Sequence, residues 1–217
     1  NILFIGLPCE VAAIKKKFKC AGNLVLVELF CHGVTSVSVH KKFLGYAINK
    51  AQAPIKYFSV KNKKEGWKKN SILKYIANNG FVEEVPFYSS DYGYAFSHLS
   101  RYSCYECMFK ADKRVGDISI GDYWGILKSE SCYNKMGMSA VEIHTSVGEN
   151  LFYKAQKYVD YSELPANQAV ADNEWVLKSI PRDDRDKYGK KFAKSLRIYI
   201  PMHVRLKKHI KALLRKM

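Results

Sequence analysis

The sequence lacks several features that would assign it at once to a common class of protein. It has no uninterrupted run of about 18 apolar residues, which argues against a membrane-spanning helix. It has no recognisable secretory signal peptide, so a cytoplasmic protein is expected. No Gly-x-Gly-x-x-Gly stretch follows the first predicted strand, so the usual dinucleotide-binding fingerprint is missing. No arrangement of Ser, His and Asp points to a hydrolase.

Acidic residues are absent from the last part of the chain. The net charge is +16, and the stretch from Lys187 to Met217 contains 11 Lys or Arg residues with no Asp or Glu. A basic charge spread over a whole domain would favour nucleic acid, whereas a basic tail favours contact with an anionic surface or is a solvated end. From His203 onward, the spacing of apolar and basic residues predicts an amphipathic helix suited to the surface of an anionic membrane.

Hydrophobic patterning predicts an α/β fold with a parallel βαβ core. Asn1–Gly6 and Asn23–Phe30 are predicted strands, and Glu10–Lys19 between them has one apolar helical face. Both strands are almost continuously apolar, which predicts that both faces of each strand are covered. Because the chain starts at Asn1 inside a strand rather than at Met, we expect it to be a piece of a longer protein.

An insertion of antiparallel strands and several C-terminal helices are predicted after this core. The insertion contains a strand at Ile55–Val60 and a hairpin formed by Ser71–Ala77 and Phe81–Phe87. The other predicted elements are helices at Val37–Asn49 and Ser90–Arg101, strands at Asp117–Gly121, Ser139–Thr145 and Val159–Glu163, and helices at 148–157, Ala166–Lys178 and Arg182–Ser195. Residues 1–180 are predicted to form one domain and residues 181–217 a basic helical tail.

The six cysteines are Cys9, Cys20, Cys31, Cys104, Cys107 and Cys132. A chain with 47% hydrophobic residues and no secretory signal is expected to contain free or metal-bound thiols rather than a disulfide framework. Cys9 and Cys31 both follow the carboxyl end of a predicted strand, where open α/β sheets bind ligands, so these two are expected to be neighbours. The alternative is that each is simply a buried thiol.

Cys104 and Cys107 form a Cys-x-x-Cys pair inside the stretch from Arg101 to Gly125. This spacing lets both sulfurs face one metal ion or cluster, but a redox dithiol or a structural pair has the same spacing. Basic residues bracket the pair and either offset the charge of an anionic centre or belong to a solvated loop. These residues are Arg101, Lys110, Lys113 and Arg114.

Four motifs along the chain resemble, in order, those of one family. They are Gly-Leu-Pro-Cys-Glu at 6–10, Phe-Cys-His-Gly-Val at 30–34, the loop at 61–69 with Gly66-Trp67-Lys68, and Ser-Cys-Tyr-Glu-Cys at 103–107 followed by Gly-Asp-Ile-Ser-Ile-Gly-Asp-Tyr-Trp-Gly at 116–125. Together they resemble the C-terminal domain of the coenzyme F420 hydrogenase/dehydrogenase beta subunit, over roughly residues 1 to 145. Leu7 and Glu10 stand where the family usually has Thr and Gln.

The resemblance implies an electron-transfer oxidoreductase subunit, an iron–sulfur flavoprotein that holds a [4Fe-4S] cluster and works with FAD. It implies that the cluster ligands are Cys9, Cys31, Cys104 and Cys107. Cys20 and Cys132 fall in no motif and are expected to be bystanders. It further implies a ferredoxin-like electron donor, either a separate protein or the upstream ferredoxin-like segment that longer relatives carry.

The sequence supplies possible flavin contacts without a fingerprint. Trp67 and Trp124 are candidates for stacking on the flavin ring, and Asp122 is a further candidate contact in the same motif as Trp124. Candidates for binding phosphate are Lys61, Lys63, Lys64, Lys68 and Lys69. The alternatives are that Trp124 is a core aromatic residue and that the lysines form a solvated face. His32 is either a donor to a cluster sulfide or an ordinary loop histidine.

Zinc is the alternative metal, because four cysteines suit it equally well in number. Sulfurs around one zinc ion lie roughly 4 Å apart. Around a cuboidal cluster they spread to roughly 6–7 Å. The alternative function is accordingly a zinc-stapled, non-catalytic binding module whose basic tail docks on an anionic membrane or on nucleic acid. The concentration of charge in the tail argues against nucleic acid.

Overall fold

The computed structural model of the chain describes residues 2–19, 21–64, 66–67, 71–182 and 189. The chain divides into two compact units. The first consists of Asn1–Gly33 and Ser103–Ile180, and the second of Val34–Tyr102, with which Pro181–Met217 is grouped. Almost all of the predicted basic tail lies outside the described residues, so its separation from the rest of the chain stays a prediction.

The described strands are β1 (Ile2–Gly6), β2 (Leu24–Leu29), β3 (Ile55–Asn62), β4 (Ile72–Ala77), β5 (Val82–Pro86), β6 (Ile118–Asp122) and β7 (Ser139–Ile143). The described helices are α1 (Pro8–Lys17), α2 (Val37–Ala51), α3 (Asp91–His98), α4 (Ser146–Ala155), α5 (Ala166–Ala169) and α6 (Glu174–Leu177). Short 3-10 helices occur at Phe87–Ser89, Tyr102–Cys104 and Gln156–Tyr158.

The first unit is built on a sheet with the strand order β1-β2-β6-β7. β1, β2 and β6 are parallel, and β7 is antiparallel to β6. Gly6 lies opposite Glu28, and Leu29 lies opposite Ile120, so the carboxyl ends of the three parallel strands meet at one edge of the sheet. The predicted parallel βαβ core and the α/β fold class are confirmed.

The two strands of the βαβ core differ in how well they are covered. On β2, Leu26, Val27 and Glu28 are buried, as its apolar sequence predicts. On β1, Ile2 and Ile5 are more than half exposed, so the expectation that this strand is covered on both faces is wrong for the described structure. Among the described strands, β1 has one neighbour in the sheet whereas β2 has two, and an apolar run alone does not distinguish an edge strand from a central one.

The second unit contains an antiparallel sheet with the order β3-β4-β5. The predicted antiparallel insertion is confirmed, and β3 is its third strand. Gly80 takes a positive φ of 87° in the turn between β4 and β5, a conformation that suits glycine. The buried core of this unit lies between the sheet and the helices α2 and α3, and consists of Val39, Phe43, Ala47, Leu73, Tyr75, Phe87, Tyr92, Ala95 and Leu99.

Two predictions about the C-terminal half are wrong. Val159–Glu163 does not form a strand, and Val159 and Tyr161 are exposed. The predicted single helix at Ala166–Lys178 is instead the two short helices α5 and α6, because Asp172 between them takes a left-handed backbone conformation with φ 56°. The helix predicted at Arg182–Ser195 and the amphipathic stretch from His203 lie almost wholly outside the described residues. Among the helices that the structure describes, none is long and apolar enough to cross a membrane.

Candidate metal centre

The first candidate ligand, Cys9, lies in the first turn of α1, just after β1. Pro8 begins this helix, and the Glu10 carboxylate accepts a hydrogen bond from the Leu7 N–H at 2.8 Å, which closes the turn around the cysteine. Local desolvation and then the charge of Glu10 raise the pKa of the Cys9 thiol, and the thiol of Cys107 adds to this increase. Cys9 and Cys107 are therefore within electrostatic reach of each other.

Cys31 follows the end of β2 and is half-buried. Burial raises the pKa of its thiol, and a hydrogen bond from the Gly33 backbone N–H and the charge of Lys110 lower it. The thiols of Cys104 and Cys107 raise it further. Cys31 thus lies within electrostatic reach of both members of the Cys-x-x-Cys pair.

All four candidate ligands lie in the first unit, where the thiol of Cys107 contributes to the raised pKa of both Cys9 and Cys31. Cys104 and Cys107 are both half-buried and come from a loop far along the sequence from Cys9 and Cys31. Within the described ranges, no three Cys, His, Asp or Glu side chains are close enough to bind one metal ion as they stand. Their role as metal ligands stays a prediction.

A buried lysine lies beside this group of thiols. Lys110 is 8% exposed, and its Nζ donates hydrogen bonds to the backbone carbonyl of Cys31 at 2.6 Å and to that of Trp175. Burial lowers the pKa of the Lys110 ammonium group, and the thiols of Cys31 and Cys107 oppose this decrease. No carboxylate among the described residues forms an ion pair with Lys110. Lys110 is thus a buried ammonium group whose hydrogen-bond acceptors in the described structure are two backbone carbonyls.

The four basic residues that bracket the Cys-x-x-Cys pair do not behave alike. Arg101 and Lys113 are exposed, as expected for a solvated loop. Lys110 is buried, and the side chain of Arg114 is 5% exposed, so the solvated-loop interpretation is wrong for these two. Lys110 and Arg114 are thus buried in the protein, whereas Arg101 and Lys113 lie at its surface.

The segment Asn173–Ser179, which we call the strap, holds the cysteine loop in place. The Cys107 N–H donates to Ser179 Oγ at 3.0 Å, and the Ala111 N–H donates to the carbonyl of Val176 at 3.1 Å. The bond from Lys110 to the Trp175 carbonyl adds a third connection. The break in the helix at Asp172 therefore allows a later segment of the chain to pack against the candidate centre.

Two buried N–H groups near the strap have no acceptor among the described residues. Asn173 is 2% exposed; its Oδ1 is hydrogen bonded to His32 Nε2, but its Nδ2 has no partner, and neither does Nε of Arg114. Buried donors without acceptors are rare in native proteins. Nδ2 of Asn173 is thus an unsatisfied donor of a residue that contacts His32, which directly follows Cys31, whereas Arg114 belongs to the ion pair with Glu28.

The candidate flavin contacts are divided between the two units. Lys61, Lys63 and Trp67 belong to the second unit, and Asp122 and Trp124 to the first. Lys61 is exposed, with its Nζ 5.2 Å from the ring centre of Phe96, whereas Trp67 is buried. Lys64 is exposed, and Lys68 and Lys69 lie outside the described residues.

Within the first unit, Trp124 is half-buried and its ring centre lies 6.4 Å from that of His32. Asp122 is exposed at the end of β6. His32 directly follows Cys31 in the sequence, so Trp124 lies near the candidate ligand. The cofactor roles of all these residues stay predictions.

A buried network that the motifs do not reveal is centred on Glu28, a fully buried residue of β2. Its carboxylate accepts hydrogen bonds from the N–H groups of Val115 and Gly116, both at 3.0 Å, and from the Ser119 hydroxyl at 2.9 Å. Arg114 Nη1 lies 3.5 Å from Oε1 of Glu28. The available signal was one acidic residue in an otherwise apolar strand, which requires compensation when buried.

Much of the motif at 116–125 serves packing in the described structure. Asp117 accepts hydrogen bonds from the Leu26 N–H at 2.8 Å and from the Thr145 hydroxyl at 2.7 Å, which connects β6 to β2 and to the start of α4. A Cβ atom at Gly121 would lie 2.5 Å from the Cβ of Phe30, so only glycine fits there without displacement. These residues position the sheet edge at which Cys31 lies.

The first unit is thus an α/β unit in which Cys9 and Cys31 follow the carboxyl ends of the parallel strands β1 and β2, at the edge where such sheets bind ligands. Over residues 1–167, the chain matches the family model described as the C terminus of the coenzyme F420 hydrogenase/dehydrogenase beta subunit. It therefore belongs to this family of redox-enzyme subunits. A search of the curated proteins found no match.

Seven chains of solved structures match the chain. One is from the F420-reducing [NiFe] hydrogenase complex of Methanosarcina barkeri, in a study of xenon derivatization. The identity is 17% and the TM-score is 0.48, and the alignment covers 89% of this chain and 61% of that chain. This chain thus spans about three fifths of the length of the protein it matches.

Proposed function

We propose that the chain is an electron-transfer subunit that holds a [4Fe-4S] cluster on Cys9, Cys31, Cys104 and Cys107 and works with FAD. The observation that supports this most directly is the buried Lys110, which is hydrogen bonded to the carbonyl of Cys31 and interacts electrostatically with the thiols of Cys31, Cys104 and Cys107. The Cys9 thiol interacts in turn with that of Cys107. Membership of the family supports the redox class. When bound, such a cluster transfers single electrons.

The charge balance of the site favours an anionic bound group. A cluster held by four thiolates carries net negative charge and is stabilised by nearby cations and by N–H groups directed at sulfur. The chain offers the Lys110 ammonium group and the Gly33 N–H beside Cys31. Burying a charge without a partner lowers the free energy of unfolding by roughly several kcal/mol. The buried ammonium group of Lys110 therefore supports the presence of an anion in the working protein.

The experiment is anaerobic reconstitution of the purified chain with iron and sulfide. We expect about four iron and four sulfide per chain, with an EPR signal on reduction. Cys104→Ser is expected to lose most of this signal, because it removes one of four ligands. Cys132→Ser is the matched control, since Cys132 is exposed and lies in no family motif, and it is expected to bind the cluster like the wild type.

Two results would count against the cluster. One tightly bound zinc ion per chain, with no iron–sulfur signal after reconstitution, would favour the zinc-stapled binding module. Equal cluster content in Cys104→Ser and Cys132→Ser would remove the proposed ligand set. Either result is distinguishable from a folding defect by the far-UV circular dichroism of the same samples.

The proposed flavin site includes Trp124, whose half-buried ring lies beside His32. We expect FAD to quench protein fluorescence on titration and Trp124→Leu to weaken binding by about tenfold, because an aromatic contact contributes roughly 1–1.5 kcal/mol. Lys61→Ala and Lys63→Ala test the proposed phosphate contacts separately. Absence of any FAD binding by the cluster-loaded wild type would remove the flavin from the proposal.

The proposed electron donor is a ferredoxin-like protein or an upstream ferredoxin-like segment. The exposed side chain of Cys9 supports an accessible approach to the candidate centre from this side. Reduction of the loaded chain by a reduced ferredoxin, followed by EPR, tests the donor class. No transfer from ferredoxin, with normal reduction by dithionite, would exclude it.

A further inference from the structure

We infer that Lys110 sets the reduction potential of the candidate centre, because its buried positive charge lies against Cys31 and favours the reduced state. This inference rests on the proposed function and extends it to a residue that no ligand set includes. Reduction adds one electron to the bound group and forms or breaks no bond to Lys110. The residue acts through the electric field at the centre.

Lys110 places a positive charge next to the backbone of a candidate ligand. Lys110 Nζ is 2.6 Å from the carbonyl oxygen of Cys31, a candidate ligand, and Lys110 is three residues after Cys107, another candidate ligand. The second acceptor is the carbonyl of Trp175 in the strap, which also helps to keep Nζ out of water. The ammonium group is consequently fixed by two carbonyls and does not move freely like a surface lysine.

The hydrogen bonds of Lys110 do not by themselves require a charged residue at this position. Two backbone carbonyls need hydrogen-bond donors, and neutral side chains such as Gln can supply them without the cost of burying an ion. Among the described residues there is no carboxylate paired with Lys110, whereas the buried Arg114 is paired with Glu28. The unpaired charge is therefore explained by an anionic group at the thiols and is not explained by the two carbonyls alone.

The buried charge of Lys110 favours the reduced state of the bound group. Charges interact more strongly in a buried site than in water, so a fixed cation close to the ligands stabilises added negative charge there. The exposed Lys113 has the same charge and is only three residues further along the chain, but water screens it. The two lysines form a natural matched pair, because one is buried at the site and the other is exposed.

The experiment compares the cluster-loaded wild type with Lys110→Met, Lys110→Arg and Lys113→Met. Midpoint potentials are measured by anaerobic dithionite titration followed by EPR. Lys110→Met is expected to disfavour reduction by about tenfold, which is about 59 mV more negative for a one-electron couple. Lys110→Arg and Lys113→Met are expected to keep the wild-type potential, since the first retains the buried charge and the second removes only a screened one.

A comparison of two neutral variants separates this role from a structural one. In the metal-free protein, Lys110→Met is expected to lower the unfolding midpoint in urea, because the carbonyls of Cys31 and Trp175 lose their donor, whereas Lys110→Gln still carries an N–H donor and is expected to lower the midpoint less. Since both variants remove the charge, both are expected to shift the potential of the loaded protein alike. A potential that shifts in Lys110→Met but not in Lys110→Gln would overturn the inference.

The remaining outcomes also decide between the possibilities. If Lys110→Met does not bind a cluster, Lys110→Gln provides a second neutral variant. If both neutral variants lose the cluster and Lys110→Arg keeps it, the positive charge itself is required at the centre, as the inference expects. If all three variants lose the cluster, Lys110 has a purely structural role and the inference is overturned. Absence of a cluster in the wild type would reject the proposed function itself, whereas a wild-type cluster with an unshifted Lys110→Met potential would reject the inference alone.

Discussion

Glu28 is a fully buried carboxylate of the first unit, and its charge requires compensation by other groups. Its carboxylate is fully buried on the central strand β2, and three hydrogen bonds and the guanidinium group of Arg114 compensate it. A buried ion pair contributes little net stability compared with apolar residues, but the loss of one partner leaves an uncompensated charge. The stability of the sheet therefore depends on Arg114 being present.

We predict that Arg114→Met lowers the free energy of unfolding by about 3–5 kcal/mol, because Glu28 loses its buried counter-ion. Urea unfolding followed by circular dichroism measures the change. Lys50→Met is the matched control, since it breaks the partly exposed Lys50–Glu83 pair, and it is expected to cost at most about 1 kcal/mol. Equal losses in the two variants would show that burial does not determine the cost.

The residues of the candidate centre were predictable from sequence to different degrees. Cys9 and Cys31 could be placed at one sheet edge because the βαβ pattern is local and strand ends are easy to recognise. Lys110 and Lys113 could not be distinguished, because both are lysines in the same polar loop. Their difference in burial depends on contacts with the strap, more than 60 residues further along the chain, and local sequence carries no signal for such a contact.

At the scale of secondary-structure elements, the strap connects the end of the first unit to the cysteine loop. Its first residue, Asn173, is hydrogen bonded to His32, and its last residue, Ser179, is hydrogen bonded to Cys107. The strap lies beyond residues 1–167, which match the family model. This chain thus supports its candidate centre with a segment outside the matched part.

We predict that Ser179→Ala increases amide hydrogen exchange at Cys107 by about fivefold, because the N–H loses an acceptor that contributes roughly 1 kcal/mol. Exchange measured by NMR or by mass spectrometry of peptides from the loop tests this. Ser131→Ala, in an exposed loop of the same unit, is expected to leave Cys107 unchanged. Unchanged exchange at Cys107 in Ser179→Ala would mean that the loop is held by other contacts.

The prediction of elements succeeded where hydrophobic period and length agreed. β1, α1 and β2 were each found within a few residues of their observed ends, because each has a clear apolar pattern. The pattern of Ala166–Lys178 also suggested a single helix, but the left-handed conformation of Asp172 separates α5 from α6. The strap that follows accepts hydrogen bonds from the N–H groups of Cys107 and Ala111 in the cysteine loop. Tertiary contacts of this kind override local propensity.

At the scale of the whole molecule, positive charge is distributed unevenly. The net charge is +16, and 11 basic residues without any acidic residue lie between Lys187 and Met217. Near an anionic membrane, each Lys or Arg contributes roughly 1 kcal/mol of attraction within a Debye length of the surface. This number of basic residues is enough to recruit a protein to a membrane without a spanning segment.

We therefore predict that the basic tail binds vesicles containing phosphatidylserine. Replacing Lys207, Lys208 and Lys211 together by Gln is expected to weaken binding by about a hundredfold, because roughly 3 kcal/mol of attraction is removed. The matched control replaces three exposed lysines elsewhere, Lys16, Lys128 and Lys135, by Gln at the same total change in charge. Co-sedimentation with phosphatidylserine vesicles and with neutral phosphatidylcholine vesicles measures the difference, and binding should decrease with salt because screening weakens the attraction. Equal weakening in the two triple variants would indicate that the net charge, and not the tail, determines binding. If the wild type binds neither kind of vesicle, the tail has no membrane role.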